Sequence, residues 1–161
     1  MNISKFTQKS VEILNNLEKI AYDFGAQEIA QEHLLYGMLT VEDSLIKKLI
    51  EKMEIDSDVF LAQVEGAVRK RPQVQGGQVY IGQDLNKVLV YAENEAKALG
   101  DEYVSVEHLF LSLLRKPSKE IKQLFHDFQI DRERFLQALS KVRGNQKVTT
   151  DNPEAVYDSL N

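Results

Sequence analysis

The chain has 161 residues, with 20 Lys and Arg against 25 Asp and Glu; its net charge of -5 excludes a general electrostatic footprint for nucleic acid. A hydrophobic fraction of 43% and a charged fraction of 28% are ordinary for a soluble globular chain, and the length admits one compact domain or two small halves. Cysteine is absent, which removes disulfides, thiolate catalysis and cysteine-ligated zinc, and no apolar run is long enough for a signal peptide or a membrane span. A cytoplasmic location with no membrane partner is the expectation.

In chain order, Val11, Leu14, Glu18, Ala21 and Tyr22 follow helical spacing, and Gly25 supplies a stop. A short second helix carries Leu34, Leu35, Met38 and Leu39, and a third carries Leu45, Ile46, Leu49, Ile50 and Met53. A fourth starts near Asp56, a good N-cap, and is expected to bury Phe60, Val64, Ala67 and Val68. The stretch Arg69-Lys70-Arg71-Pro72-Gln73-Val74-Gln75-Gly76-Gly77-Gln78 reads as a loop, with its basic triplet as charge at a helix C-terminus. The pattern then starts again. Leu85, Val88, Leu89, Ala92, Ala96 and Leu99 end at Gly100, and Leu109, Phe110, Leu113 and Leu114 follow. Next come Ile121, Leu124, Phe125 and Phe128, then Asp131 with Phe135, Leu139 and Val142. Ser105 is a candidate N-cap, with Glu107 in the first turn against the helix dipole; Ala30 at the matching place is a poor cap, which leaves more of that role to Glu32. From Gly144 the helical pattern stops, and residues 144–161 read as a flexible linker that looks like the cut end of a longer protein.

The two halves superimpose at a constant offset of 75 without a gap: Glu32-His33-Leu34 becomes Glu107-His108-Leu109, Ile55-Asp56 becomes Ile130-Asp131, and Gly25 becomes Gly100. Such a repeat fixes the architecture first. The expectation is an all-α domain over residues 1–143, eight helices in two four-helix repeats with pseudo-twofold symmetry. Repeat one covers about 6–70, a linker 71–80, and repeat two about 81–143. Each copy alone buries too little surface, so the two should pack into one body.

This double repeat with its Glu-His-Leu signature resembles the amino-terminal domain of Clp-family AAA+ chaperones. The segment Arg71-Pro72-Gln73-Val74-Gln75-Gly76 is similar to the Leu-Pro-x-Val-x-Gly linker of the ClpB disaggregases, with Arg71 in place of the usual leucine. Val148-Thr149-Thr150-Asp151-Asn152-Pro153-Glu154 and Tyr157-Asp158-Ser159-Leu160 are similar to the ClpB junction with its first nucleotide-binding domain. The resemblance implies a parent that is a homohexameric ATPase. It would extract unfolded or aggregated polypeptide with the DnaK chaperone system. ATP and Mg would bind in domains absent from this chain, and this part, as a monomer, would capture the client.

No enzyme chemistry is expected of the chain itself. Its glycines never form a Walker A loop, no Gly-x-Ser-x-Gly elbow exists, and each Glu-His pair lacks the second histidine that a zinc helix needs. No catalytic residue, metal or cofactor is therefore assigned, and His33 and His108 are read as locking helix packing or capping nearby carbonyls. Glu32 and Glu107 have two readings, as helix-dipole complements or as receptors for a cationic group. The ClpC branch accepts phosphoarginine at this position within Gly-Thr-Glu-His, whereas Ala30-Gln31 and Ser105-Val106 precede the motif here. By the resemblance, Thr7, Asp101 and Glu107 match polar positions around the ClpB substrate surface. Tyr80, Ile81, Leu89 and Tyr91 are candidates for an apolar groove, Tyr91 because it falls off the main stripe. The rival readings are an adaptor-docking domain of a ClpC- or ClpA-type protease chaperone, and a structural or oligomerisation module.

Overall fold

The computed structural model describes residues 3–157. After a 3-10 turn at Ile3–Lys5, repeat one forms α1 (Gln8–Asn15), α2 (Leu17–Asp23), β1 (Glu28–Ile29), α3 (Gln31–Thr40), α4 (Leu45–Lys52) and α5 (Ser57–Arg69). Repeat two forms β2 (Tyr80–Ile81), α6 (Gln83–Ala98), α7 (Val106–Arg115), α8 (Lys119–Asp127) and α9 (Arg132–Arg143), and the tail adds a short α10 (Glu154–Tyr157). The eight expected helices are all present, the first broken by a turn at Asn16 into α1 and α2. The small parallel β1–β2 pair departs from a purely helical reading.

Local chemistry sets the boundaries. Asp56 caps α5 by accepting from the Asp58 and Val59 amides, and Asp131 caps α9 by accepting from Arg134. Gly25 and Gly100 close α2 and α6 at φ +71° and +72°, a left-handed turn in which glycine lacks the Cβ penalty. Glu54 and Gln129, again one repeat apart, take φ 63° and 57° after α4 and α8. Contacts that recur at equivalent positions in this way are consistent with the twofold arrangement.

The core is shared. One hydrophobic cluster runs from Phe6 through Leu35, Ile46 and Phe60 of the first repeat to Leu85, Phe110 and Phe135 of the second. Phe110 stacks on Phe135 with centroids 4.5 Å apart, and Phe60 meets Phe128 edge-on at 5.0 Å across the repeats. Polar ties support this packing. Buried Gln31 donates to the carbonyls of Asp84 and Lys116 and accepts from the Ser118 amide. Tyr22, expected on the buried stripe, is instead 78% exposed, because α1 and α2 each set their own face toward the core.

The repeats also exchange their leading segments. Thr7 and Val104 bond N–H to O at 2.9 Å, and Val104 returns a bond to Lys5 at 2.7 Å. At the equivalent position the Gly82 amide bonds to Ile29 at 2.9 Å, and the Tyr80 amide adds a bond to Gln27 at 2.9 Å. The segment entering each repeat is thus held by the opposite repeat.

The described part of the tail packs against the body. Val148 and Tyr157 are buried, and Pro153 and Glu154 are buried with them. The Val148 carbonyl accepts from Glu102 at 2.8 Å and the Asp151 carbonyl from Gln8 at 2.7 Å. A segment that carries apolar side chains at these intervals gains more by covering the body than by remaining solvated. Residues 158–161 lie outside the described residues.

Candidate functional site

The Glu-His-Leu motif places its histidine at the third position of α3 and α7. In both repeats the ring Nδ1 accepts from the backbone N–H of the N-cap residue, Ala30 to His33 and Ser105 to His108, each at 2.8 Å. This supplies half of a capping box with histidine where Glu or Gln is usual. The acceptor role of Nδ1 puts the proton on Nε2. His108 Nε2 donates it to Asp101 Oδ2 at 2.7 Å. At the position matching Asp101 the first repeat has Ala26, and His33 Nε2 is buried without a hydrogen-bond partner among the described residues. Burial, and then the nearby Arg71 charge, lower the His33 pKa to about 4.

Three residues expected around the client surface, Thr7, Asp101 and Glu107, come together in one buried cluster. Asp101 accepts from His108, from the Val148 amide at 2.9 Å and from the Arg143 guanidinium. Burial works to raise its pKa, but these donors outweigh it and hold the carboxyl below the ordinary value. Glu107 accepts from Arg143 Nη1 at 3.3 Å and from the Tyr157 hydroxyl at 3.0 Å. Thr7 caps α1 by accepting from the Ser10 amide, and its hydroxyl donates to Glu154 Oε2 at 2.8 Å. The Val106 amide, at the start of α7, donates to the same carboxylate oxygen at 3.3 Å. Burial, and then the Glu107 charge, push the Glu154 carboxyl up to about 7. Burial and Glu107 also raise the Tyr157 hydroxyl above its usual range.

The other expected residues lie elsewhere. Leu89 is not in a groove: it is 2% exposed in the shared core, on the buried stripe of α6 with Leu85, Val88 and Ala92. Glu32 is buried, and burial raises its pKa; Arg71 lies 3.9 Å away and also bonds Glu28 at 2.9 Å. The basic triplet before the linker therefore acts in part as an internal counter-ion. Tyr80 and Ile81 are 52% and 46% exposed on β2. Tyr91 is half-buried beneath Lys116, whose Nζ lies 4.9 Å from the ring centroid, and near Arg115 at 5.9 Å. Arg115 also lines a groove of about 460 Å³ with Leu114, Pro117, Phe125 and Ile130.

Sequence reasoning missed Arg143, Glu154 and Tyr157 as members of the cluster. The available signal was the recurrence of apolar residues in the tail, Val148, Pro153, Ala155, Val156 and Tyr157. Among the described residues no group of three or more His, Asp or Glu side chains is arranged to hold a metal ion, and no helix is long and apolar enough to cross a membrane.

Comparison with known proteins connects this arrangement to a family. The model described as the Clp repeat (R) N-terminal domain matches residues 5–128. The chain is 40% identical to the chaperone protein ClpB of Nitratidesulfovibrio vulgaris and 37% identical to that of Bacillus cereus, over 99% of its own length and 19% of theirs. It thus spans about a fifth of the length of these relatives. Among solved structures, the Hsp104 N-terminal domain from Candida albicans superimposes with a TM-score of 0.81 at 20% identity, covering 93% of this chain and 99% of that one. A ClpV N-domain in complex with a VipB peptide gives 0.69 at 20% identity, covering 86% of each chain.

Proposed function

Because the chain belongs to the Clp repeat N-terminal domain family, we propose that it captures unfolded or aggregated polypeptide for a ClpB-type chaperone of which it is the front domain. The observation that carries this reading is the exposure of two apolar residues, Tyr80 and Ile81, each about half exposed on the two-residue strand β2. Exposed apolar side chains of this kind distinguish a non-native client from a folded one, and an unpaired strand edge can accept extended backbone. The peptide complex of the similarly folded ClpV N-domain supports a peptide-binding role for the fold. In the same reading the client passes to a hexameric pore that uses ATP and Mg in other domains, together with the DnaK system. This chain acts by binding alone, as a monomer in the cytoplasm.

Docking of phosphoarginine at the motif glutamates is the less favoured alternative, because Glu32 and Glu107 already have Arg71 and Arg143 of this chain beside them. The test is a Tyr80→Ser, Ile81→Ser double variant titrated with reduced, carboxymethylated α-lactalbumin, a permanently unfolded protein. Affinity should fall about tenfold, equivalent to roughly 1.4 kcal/mol. Stability should stay within about 0.5 kcal/mol, as expected for exposed positions. Unchanged affinity removes this surface from the site.

A further inference from the structure

The surroundings of Phe6–Thr7 and of Ile81–Gly82 are the same place in the two repeats, each an incoming segment held by the opposite loop. They differ in what covers them. Ile81 is 46% exposed, whereas Phe6 is 3% exposed, and residues 146–157 lie across the surroundings of Phe6 and Thr7. We propose that repeat two holds a second polypeptide seat, built on Thr7, Asp101, Glu107 and the first amide of α7, and that residues 146–157 are a cis-acting strap filling it. The strap must leave before a client can enter. This inference rests on the polypeptide-capture reading above.

The strap's contacts are those of a peptide ligand. Its Val148 amide donates to Asp101, and its Val148 carbonyl accepts from Glu102. Its Glu154 carboxylate accepts from Thr7 and from the Val106 amide at the helix start, and its Tyr157 hydroxyl donates to Glu107. The class of occupant follows: a segment with a small apolar residue in non-helical backbone, then one helical turn that carries a carboxylate and, three residues further on, an aromatic hydroxyl.

The attachment is also suited to release. Residues 149–152 between the anchors are exposed, and the only regular structure in the strap is the four-residue α10. With the strap docked, Glu154 Oε1 and Glu107 Oε1 are buried without a hydrogen-bond partner among the described residues, a cost set against the docked state. Segments with few buried anchors and unsatisfied polar atoms open at low free energy.

The absence of cysteine permits a direct test. Gln8 and Asp151 are joined by a backbone bond of 2.7 Å and a side-chain bond of 3.2 Å, so a Gln8→Cys, Asp151→Cys chain can form one bridge that locks the strap. Binding of reduced, carboxymethylated α-lactalbumin is measured on the oxidised chain, on its alkylated reduced form, and on a separate Tyr157→Ala chain. Hydrogen exchange at the Glu102 and Val106 amides reports whether the strap is open. The expected result is binding about tenfold weaker when locked than when reduced, and stronger than wild type in Tyr157→Ala. Equal binding by the locked and reduced forms overturns the strap and leaves capture at Tyr80–Ile81 intact. Absence of binding by a Tyr157→Ala chain whose amides exchange freely overturns both the strap and the capture reading.

Discussion

Replacing Asp101 with alanine should be among the most damaging single changes in the chain, and damaging to the fold itself. Its carboxylate accepts from a histidine, a backbone amide and an arginine in a site closed to solvent. Removal leaves the Arg143 guanidinium with Glu107 as its remaining carboxylate partner. It also strands the His108 Nε2 proton and the Val148 amide. Breaking a buried ion pair by deleting one partner costs about 3–5 kcal/mol. Each orphaned donor adds about 1–3 kcal/mol where water cannot reach it, so part of that cost will be relieved by local opening of the tail. A net loss of about 3–5 kcal/mol lowers the melting midpoint of a chain this size by roughly 6–20 °C. Urea unfolding should give the same loss with the slope nearly unchanged. A loss below about 1 kcal/mol, the range of a solvated surface pair, would refute the assignment of Asp101 as the hub of a buried network.

Two groups should titrate with opposite sign. The His33 pKa is lowered from an ordinary 6.5 to about 4 in the fold, so its contribution is fully present above pH 6.5 and is lost as pH falls through 4. That loss is on the order of 3 kcal/mol, and thermal melts from pH 7 to pH 4 should be flatter in His33→Gln. Glu154 is raised to about 7, so strap docking is strongest below pH 4.5 and weakens as pH rises through 7. The groups involved are Thr7, Glu107, Arg143, Tyr157 and the Val106 amide, and protection of that amide from exchange should decline between pH 5 and 8 in wild type but persist in Glu154→Gln. Phe110→Ala, which removes a fully buried ring stacked on Phe135, should cost about 3–5 kcal/mol in urea unfolding.

The helices were readable because each has an apolar stripe with the helical period and a stop or cap at its end: Gly25, Asp56, Gly100 and Asp131 all act at the positions their chemistry implied. The offset of 75 carried further, since contacts at Glu54 and Gln129, or at Ile29 and Val104, recur at that spacing. The motif histidines were readable as helix-packing residues, but the capping expected at carbonyls falls instead on backbone N–H groups, from which the ring Nδ1 accepts. Periodicity reports which face is buried and says nothing about which donors reach it. Long-range polar geometry was hidden for the same reason. Nothing local to Thr7 announces Glu154, and a tail of Asn, Lys, Thr and Asp reads as solvated until the burial of Val148 and Tyr157 is seen. Leu89 lies in the core, as its place on the Leu85, Val88 and Ala92 stripe implied, so the stripe itself was the signal against a groove position.

The crosswise holding of the leading segments has a consequence for synthesis. The ribosome delivers Phe6 and Thr7 early, but their backbone partner Val104 and the strap residue Glu154 that bonds Thr7 emerge only after most of repeat two. Until then Phe6, which is almost wholly buried in the finished fold, has no place to go. The first helices can form by local contacts, yet their entry point stays open through most of elongation. A nascent chain halted before Val104 should expose this apolar end and itself resemble a client of chaperones, whereas one extended past Tyr157 should not.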